Sequence, residues 1–100
     1  MSELGYLRQK LFEATLSLAG PGALDERLAG AGMALVAIRD NYSFKNDNDR
    51  DRFLAVRQQL TAPVDDATDG YIAANVARMS GVQREELAGE IVSLLYMADL

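Results

Sequence analysis

Three carboxylates between residues 65 and 69 form the first cluster in this chain that could support chemistry. Asp65, Asp66 and Asp69 lie at the predicted start of a fourth helix, and the spacing of Asp65 and Asp69 would place both on one helical face. Paired carboxylates can serve general acid–base or metal-assisted reactions. A helix N-terminus, however, stabilises the charged form of a carboxylate, which is unfavourable for a general acid. The cluster therefore predicts dipole compensation and solubility, with a small carboxylate-based or metal-assisted enzyme as an alternative.

A second acidic run follows the spacing of a calcium-binding loop. The segment Asp47–Asp51 has carboxylates at the first, third and fifth positions of that pattern. A calcium loop also needs Gly at its sixth position and Glu at its twelfth, where this chain has Arg52 and Gln58. The run is therefore predicted to supply the cap of the third helix from one of its first three residues, without binding calcium.

Residue types that the chain lacks exclude several kinds of catalytic site. The sequence contains no Cys and no His, which excludes disulfide scaffolds, thiolate zinc sites, cysteine nucleophiles and serine triads. We expect no catalytic set, no cofactor and no metal. The apolar runs are too short for a membrane span and the N-terminus has no signal sequence, so we expect a cytoplasmic protein that does not contact membranes.

The segment from residue 77 to residue 87 follows the spacing of a helix-turn-helix. Ala77, Gly81 and Leu87 supply the small residue, the turn glycine and the apolar residue of that motif. The side chains that would face the major groove of DNA are Gln83, Arg84, Glu85 and Ala88. The same helix would also carry acidic side chains towards the phosphates, which dominate nucleic-acid affinity. Direct nucleic-acid binding is therefore not expected, and a DNA-binding regulator is kept as an alternative.

Two aromatic residues lie in a polar segment where no helical periodicity explains them. Tyr42 and Phe44 are surrounded by Asn, Asp and Ser residues, which favour turns. Aromatic side chains beside polar residues are typical of interface hot spots, so both are candidate protein-binding residues. The same side chains could instead fold back as a lid over a small core.

The net charge of −5 comes entirely from the last forty residues. Basic and acidic groups balance within residues 1–60, whereas residues 61–100 hold the whole acidic excess. The acidic residues predicted to contact a protein partner are Asp65, Asp66, Asp69, Glu85, Glu86 and Glu90. A patch of one sign raises the encounter rate with a basic partner and repels nucleic acid and anionic membranes. A solvated acidic face is the alternative interpretation.

All these side chains must be positioned by helices, because apolar residues repeat at helical spacing along most of the chain. The first helix is predicted from Leu4 to the break at Gly20–Gly22. Phe12 and Leu16 are expected to widen the face that this helix turns towards the core.

The second helix, from about Ala23 to Arg39, contains two glycines in its interior. Gly30 and Gly32 each cost about 1 kcal/mol relative to Ala, and close approach of a neighbouring helix is predicted to offset this. Contact with a ligand or partner is the alternative. The last helix is introduced by a capping box at Ser80–Gln83. The sequence predicts an all-α, compact bundle of four to five short helices, in one domain spanning residues 1–100.

These features predict a non-enzymatic protein-binding module that acts by stoichiometric association. A sharper form of the hypothesis names a basic, nucleic-acid-binding protein as the partner. In size, acidity and lack of catalytic residues the chain is similar to inhibitors from phages and mobile elements, such as anti-CRISPR or antitoxin-like proteins; the similarity is one of profile and covers no motif. A homodimer is a further expectation, because small residues and the apolar Met97, Ala98 and Leu100 provide surfaces for self-association.

Overall fold

The apolar periodicity of the sequence is realised as five α-helices. The structure, a computed structural model, describes residues 3–38, 44, 47–65 and 70–98. The helices are α1 (Glu3–Ala19), α2 (Leu24–Val36), α3 (Asp47–Thr61), α4 (Tyr71–Arg78) and α5 (Gly81–Ala98). None of these residues lies in a strand, and the predicted all-α bundle is confirmed.

One apolar core joins all the helices. α2 contacts each of the other four helices, α1 packs against α5, and α3 packs against α4 and α5. The core side chains are Leu7, Leu11, Ala14, Leu18, Leu28, Ala31, Leu35, Ile38, Phe53, Val56, Leu60, Val76, Leu87, Ile91 and Leu94. No polar or charged side chain of the described residues is buried with them, so the core is held by apolar packing alone.

The two interior glycines of α2 are explained by close approach of neighbouring helices. A Cβ atom on Gly32 would lie 2.8 Å from Cγ2 of Ile72 in α4, and one on Gly30 would overlap Oγ of Ser17 in α1. Carbon atoms in favourable contact are about 3.5–4.0 Å apart, so a side chain at Gly32 would displace Ile72, and one at Gly30 would displace the hydroxyl group of Ser17. The predicted close approach is confirmed, and Gly32 sets how near α4 lies to α2.

The second helix is shorter than predicted. α2 ends at Val36, and Arg39 lies outside the described residues. Ile38 follows the helix and is still fully buried as part of the apolar core, and its carbonyl accepts a hydrogen bond of 3.1 Å from Arg57 in α3. The apolar face therefore continues past the last helical turn.

The third helix begins earlier than predicted, at Asp47. The first three residues of the acidic run therefore lie inside the first turn, and the prediction that one of them caps the helix is wrong. Asp47 and Asp49 both lie in that turn, where the helix dipole favours negative charge. A calcium-binding loop wraps around its ion in a non-helical segment, so the helical conformation of residues 47–51 excludes that arrangement.

The fourth helix begins later than predicted, at Tyr71. Gly70 is its N-cap with φ of 92°, a conformation that glycine adopts without strain. Asp65 lies in a turn before the helix, and the first turn of α4 contains no acidic residue. The prediction that Asp65 lies on a face of α4 and compensates its dipole is therefore wrong. Asp66 and Asp69 themselves lie outside the described residues.

Side chains from the next helix close the C-terminal ends of α1, α3 and α4, and a similar contact lies at Ile38, just after the end of α2. The donors and accepting carbonyls are Arg27 to Leu18 (2.7 Å), Arg57 to Ile38 (3.1 Å), Asn75 to Leu60 (3.1 Å) and Arg84 to Val76 (3.0 Å). The last carbonyls of a helix have no partner within it, so these donors satisfy groups that would otherwise need water. The arginines among them also complement the negative end of the helix dipole.

The start of α5 is fixed by the predicted capping box. The N–H of Gln83 donates to Oγ of Ser80 at 3.1 Å, and the N–H of Ser80 donates to Oε1 of Gln83 at 2.8 Å. This reciprocal pair satisfies two donors at the helix start. The prediction is confirmed.

Candidate functional site

Two apolar side chains of α1 that were predicted to face the core are exposed instead. Phe12 keeps 51% and Leu16 keeps 53% of its accessible surface. Leu7 and Leu11 already occupy the core face of α1, and each residue step turns a helix by about 100°. Phe12 and Leu16 therefore form a second ridge, four residues apart, that points away from the core. The prediction that they widen the core face is wrong.

Phe12 of this ridge lines a groove between α1 and α5. The groove has a volume of about 710 Å³ and a mainly apolar surface. Its lining residues are Gly5, Arg8, Gln9, Phe12, Thr15, Val92, Leu95 and Tyr96. Among these described lining residues Arg8 alone is charged. The groove is therefore suited to an apolar surface rather than to an ion or a polar substrate.

The α5 wall of the groove ends in an exposed aromatic side chain. Val92 and Leu95 are half-buried and pack partly on the core, whereas Tyr96 is 75% exposed. Val92 and Tyr96 are four residues apart and so share a helical face. Tyrosine combines a large apolar ring with a polar tip, which is why it is enriched at protein interfaces.

The sequence contains more apolar residues on α1 and α5 than the core requires. The sequence-based prediction assigned Phe12 and Leu16 of this surplus to the core face of α1. A single stripe of apolar residues is enough to bury one face of a helix. Phe12 with Leu16, and Val92 with Tyr96, are additional pairs at helical spacing outside that stripe. Surplus pairs of this kind on two helices that pack together indicate a second apolar surface.

Of the acidic residues predicted to contact a partner, the structure describes three on α5, Glu85, Glu86 and Glu90, and one in the turn after α3, Asp65. Glu90 forms an ion pair with Arg52 of α3, with 3.0 Å between Nη2 and Oε2. Glu86 lies beside Glu90 along a more polar groove between α3 and α5. Glu85 is exposed on α5, and Asp65 is exposed in the turn that follows α3. The acidic excess of the last forty residues is thus partly balanced in space by a basic residue from the first sixty.

The aromatic residue of the polar segment that the structure describes packs inward. Phe44 is half-buried and lies against the core, with its ring centroid 5.3 Å from that of Phe53. This is the lid-like arrangement of the two that the sequence left open. Tyr42 lies outside the described residues, as do Leu100 and the side chains of Met97 and Ala98.

The helix-turn-helix spacing does not produce the packing of that motif. Ala77 is exposed, and α4 makes its main contacts with α2 and α3, whereas the motif needs its small residue between the two helices. Nε of Arg84 donates to the carbonyl of Val76 at 3.0 Å, so this side chain is turned back onto α4. Gln83 is engaged in the capping box. Two of the residues predicted to read DNA therefore serve as helix caps.

Neither a metal site nor a membrane-spanning helix is found among the residues that the structure describes. In that part, no three Asp or Glu side chains are grouped so that they could hold a metal ion. Of the described helices, none has the length and apolar character that crossing a membrane requires. Comparisons with the profiles of known families, with curated proteins and with solved structures find no match to this chain.

Proposed function

We propose that this chain is a non-enzymatic protein-binding module that acts by stoichiometric association, and that it associates through the groove between α1 and α5. The observation that carries the proposal is the exposure of Phe12 and Tyr96 in that groove, with Leu16 exposed one helical turn from Phe12. Aromatic anchors set among less exposed apolar residues are the usual composition of binding hot spots. Large exposed apolar patches on folded proteins commonly mark interaction sites.

The sharper form of the hypothesis, an acidic inhibitor of a basic nucleic-acid-binding protein, involves a different surface. Glu86 borders the groove between α3 and α5, and Asp65 is exposed in the turn after α3; neither lines the apolar groove. Two observations support an acidic inhibitor: Glu86 and Asp65 are exposed, and the net charge of the chain is −5. Exposed acidic groups accelerate encounter with a basic partner. The described acidic residues therefore lie outside the lining of the apolar groove.

The proposal is tested by a double substitution that removes the apolar ridge and keeps the net charge. Phe12→Glu with Leu16→Lys leaves the charge at −5, and a Glu four residues before a Lys supports the helix. The matched control is Met33→Glu with Val36→Lys on α2, where both apolar side chains are also exposed. Each form is used for affinity capture from the native cells, and the bound proteins are quantified by mass spectrometry.

We expect a protein captured in stoichiometric amounts by the unsubstituted chain and by the control, and lost from the ridge variant. Additional untagged copies of the chain itself count as such a protein. An identical set of captured proteins for all three forms would contradict the proposal. Far-UV circular dichroism verifies that each variant is folded.

A further inference from the structure

Two recesses on the side of the molecule formed by α3, α4 and α5 join into one polar groove. The recess between α3 and α5 has a volume of about 550 Å³, and a second recess of about 530 Å³ lies where α3, α4 and the start of α5 meet. Gln59 and Gln83 line both recesses, which makes them continuous. None of the described lining residues is aromatic, so this polar groove lacks the anchors that an apolar partner would need.

The polar groove carries charges of opposite sign at its two ends. Arg78, in the last turn of α4, lies at one end, and Glu86 and Glu90 of α5 lie at the other. Glu90 is paired with Arg52 of α3, whereas neither Arg78 nor Glu86 forms an ion pair with another described residue. The carboxylates would repel a nucleic acid, and Arg78 would repel a purely basic segment. The groove therefore complements a segment that carries both signs of charge in a matching order.

Gly89 leaves an open place on the wall of the polar groove between Glu86 and Glu90 on one side and Ser93 on the other. A Cβ atom at Gly89 would meet no atom within 4 Å, whereas Cβ atoms on the interior glycines of α2 would meet neighbouring helices. Glycine in a helix interior is less stable than alanine, and no contact among the described residues requires it here. Glycine also lets a second backbone approach closely, so Gly89 suits a partner that packs directly against α5.

We infer that the polar groove binds one helix of a partner protein, whose backbone packs against Gly89. Two basic side chains of that helix, four residues apart, face Glu86 and Glu90, and an acidic side chain faces Arg78. Side chains four residues apart share a helical face, which matches the spacing of the two glutamates on α5. The inference rests on the sharper form of the proposed function, since it names where the basic partner docks. It uses none of the residues that line the apolar groove.

A synthetic peptide provides the probe for this groove. It is a fluorescein-labelled, alanine-based helix with two lysines four residues apart and a glutamate towards one end, so its net charge is weakly positive. A matched peptide of the same composition has its lysines two residues apart, on opposite faces of the helix. Fluorescence anisotropy at low salt gives Kd, and the amide chemical shifts of Gln59, Gly89 and Ser93 report whether the peptide lies in the groove. We expect only the first peptide to move these three resonances.

Arg78→Gln separates docking from general attraction, because the two predict opposite signs. The substitution makes the chain more acidic, so general attraction to a positive peptide would increase. A docked glutamate would instead lose its partner, and we expect binding to weaken by about two- to fivefold.

Gly89→Ala tests the approach of the backbone without changing the charge. We expect it to weaken binding by at least about fivefold, because the added methyl group would hold the two backbones apart. The same substitution should raise Tm by roughly 2–8 °C, so that loss of binding cannot come from unfolding. Gly81→Ala is the matched control: it lies in the same helix with no atom within 4 Å of its Cβ position but outside the groove, and should leave Kd unchanged.

The inference is overturned if the peptide does not bind at concentrations up to about 1 mM, or if both peptides bind equally. It is also overturned if Arg78→Gln or Gly89→Ala binds the peptide as tightly as the unsubstituted chain does. If Glu86→Gln weakens binding while those two substitutions do not, the docking site fails and encounter through the acidic residues stands. If Glu86→Gln has no effect either, the acidic inhibitor loses its support as well. Capture by the Phe12–Leu16 ridge variant tests the apolar groove independently of all these outcomes.

Discussion

Replacement of Asn75 by Asp would remove the donors that hold α4 to the end of α3. Nδ2 of Asn75 donates to the carbonyls of Leu60 at 3.1 Å, Ala62 at 2.8 Å and Tyr71 at 2.8 Å. An ionised Asp has the same shape but can only accept hydrogen bonds. The amide has two hydrogens that the three carbonyls share, so the substitution removes the equivalent of about two hydrogen bonds, each with a net value of about 0.5–1.5 kcal/mol.

The free energy of unfolding should fall by about 2–3 kcal/mol, because the lost hydrogen bonds are joined by repulsion between the carboxylate and carbonyl oxygens. For a domain of this size, that loss lowers Tm by roughly 10–20 °C. The measurement is urea and thermal unfolding at neutral pH, followed by far-UV circular dichroism. All forms are compared at one protein concentration, since self-association raises the apparent stability.

The matched control is Asn48→Asp, which adds the same charge at an exposed position in the first turn of α3. A surface substitution of this kind should change stability by no more than about 0.5 kcal/mol. The reasoning is refuted if Asn75→Asp shifts the urea midpoint no further than Asn48→Asp does. Such a result would mean that water can replace the hydrogen bonds of the Asn75 amide at the end of α3 without a loss of stability.

Three further predictions concern packing, capping and charge. Gly32→Ala should destabilise the protein by about 1–2 kcal/mol, because its Cβ would lie 2.8 Å from Ile72; Ile72→Ala should recover part of that loss in a double-mutant cycle, and additive effects would contradict the contact. Arg84→Met keeps the apolar stem but removes the cap of α4, so we expect a loss of about 1–2 kcal/mol by thermal unfolding; a DNA-reading Arg84 would instead reduce duplex binding in a gel shift and leave stability intact. Glu85→Lys with Glu86→Lys should change stability by less than about 0.5 kcal/mol but weaken capture of a basic partner and flatten its salt dependence; unchanged affinity would argue against the acidic inhibitor.

The helices could be predicted because their signals are local. The buried positions Leu28, Ala31 and Leu35 of α2 repeat at a spacing that the sequence shows directly, and the Ser80–Gln83 capping box lies within four residues. The sequence predicts the beginning of α4 too early, because acidic residues are common in the first turn of a helix and three of them precede α4. The N-cap is in fact Gly70. Local patterns thus predict that a helix exists better than they predict its first residue.

The surplus apolar pairs are visible in the sequence, but the position of the groove could not be predicted, because it depends on where two distant helices meet. Periodicity shows that Phe12 and Leu16 adjoin the apolar face of α1, but the position of α5 decides whether they are covered. The capping contacts of Asn75 and Arg84 are equally invisible in the sequence, since the accepting carbonyls belong to other helices. The sequence alone therefore predicts Arg84 as a DNA-facing residue, whereas in the structure this side chain caps α4.

The caps that link successive helices have a consequence for how the chain folds. Donor and acceptor are 9, 19, 15 and 8 residues apart for these four contacts in chain order, so each cap closes over a short length of chain. Contacts between near neighbours in sequence carry a small loop-closure entropy and are typical of proteins that fold in microseconds to milliseconds. Each of these caps can therefore form without the chain having to close a long loop, whereas the packing of α1 against α5 joins the two ends of the described chain.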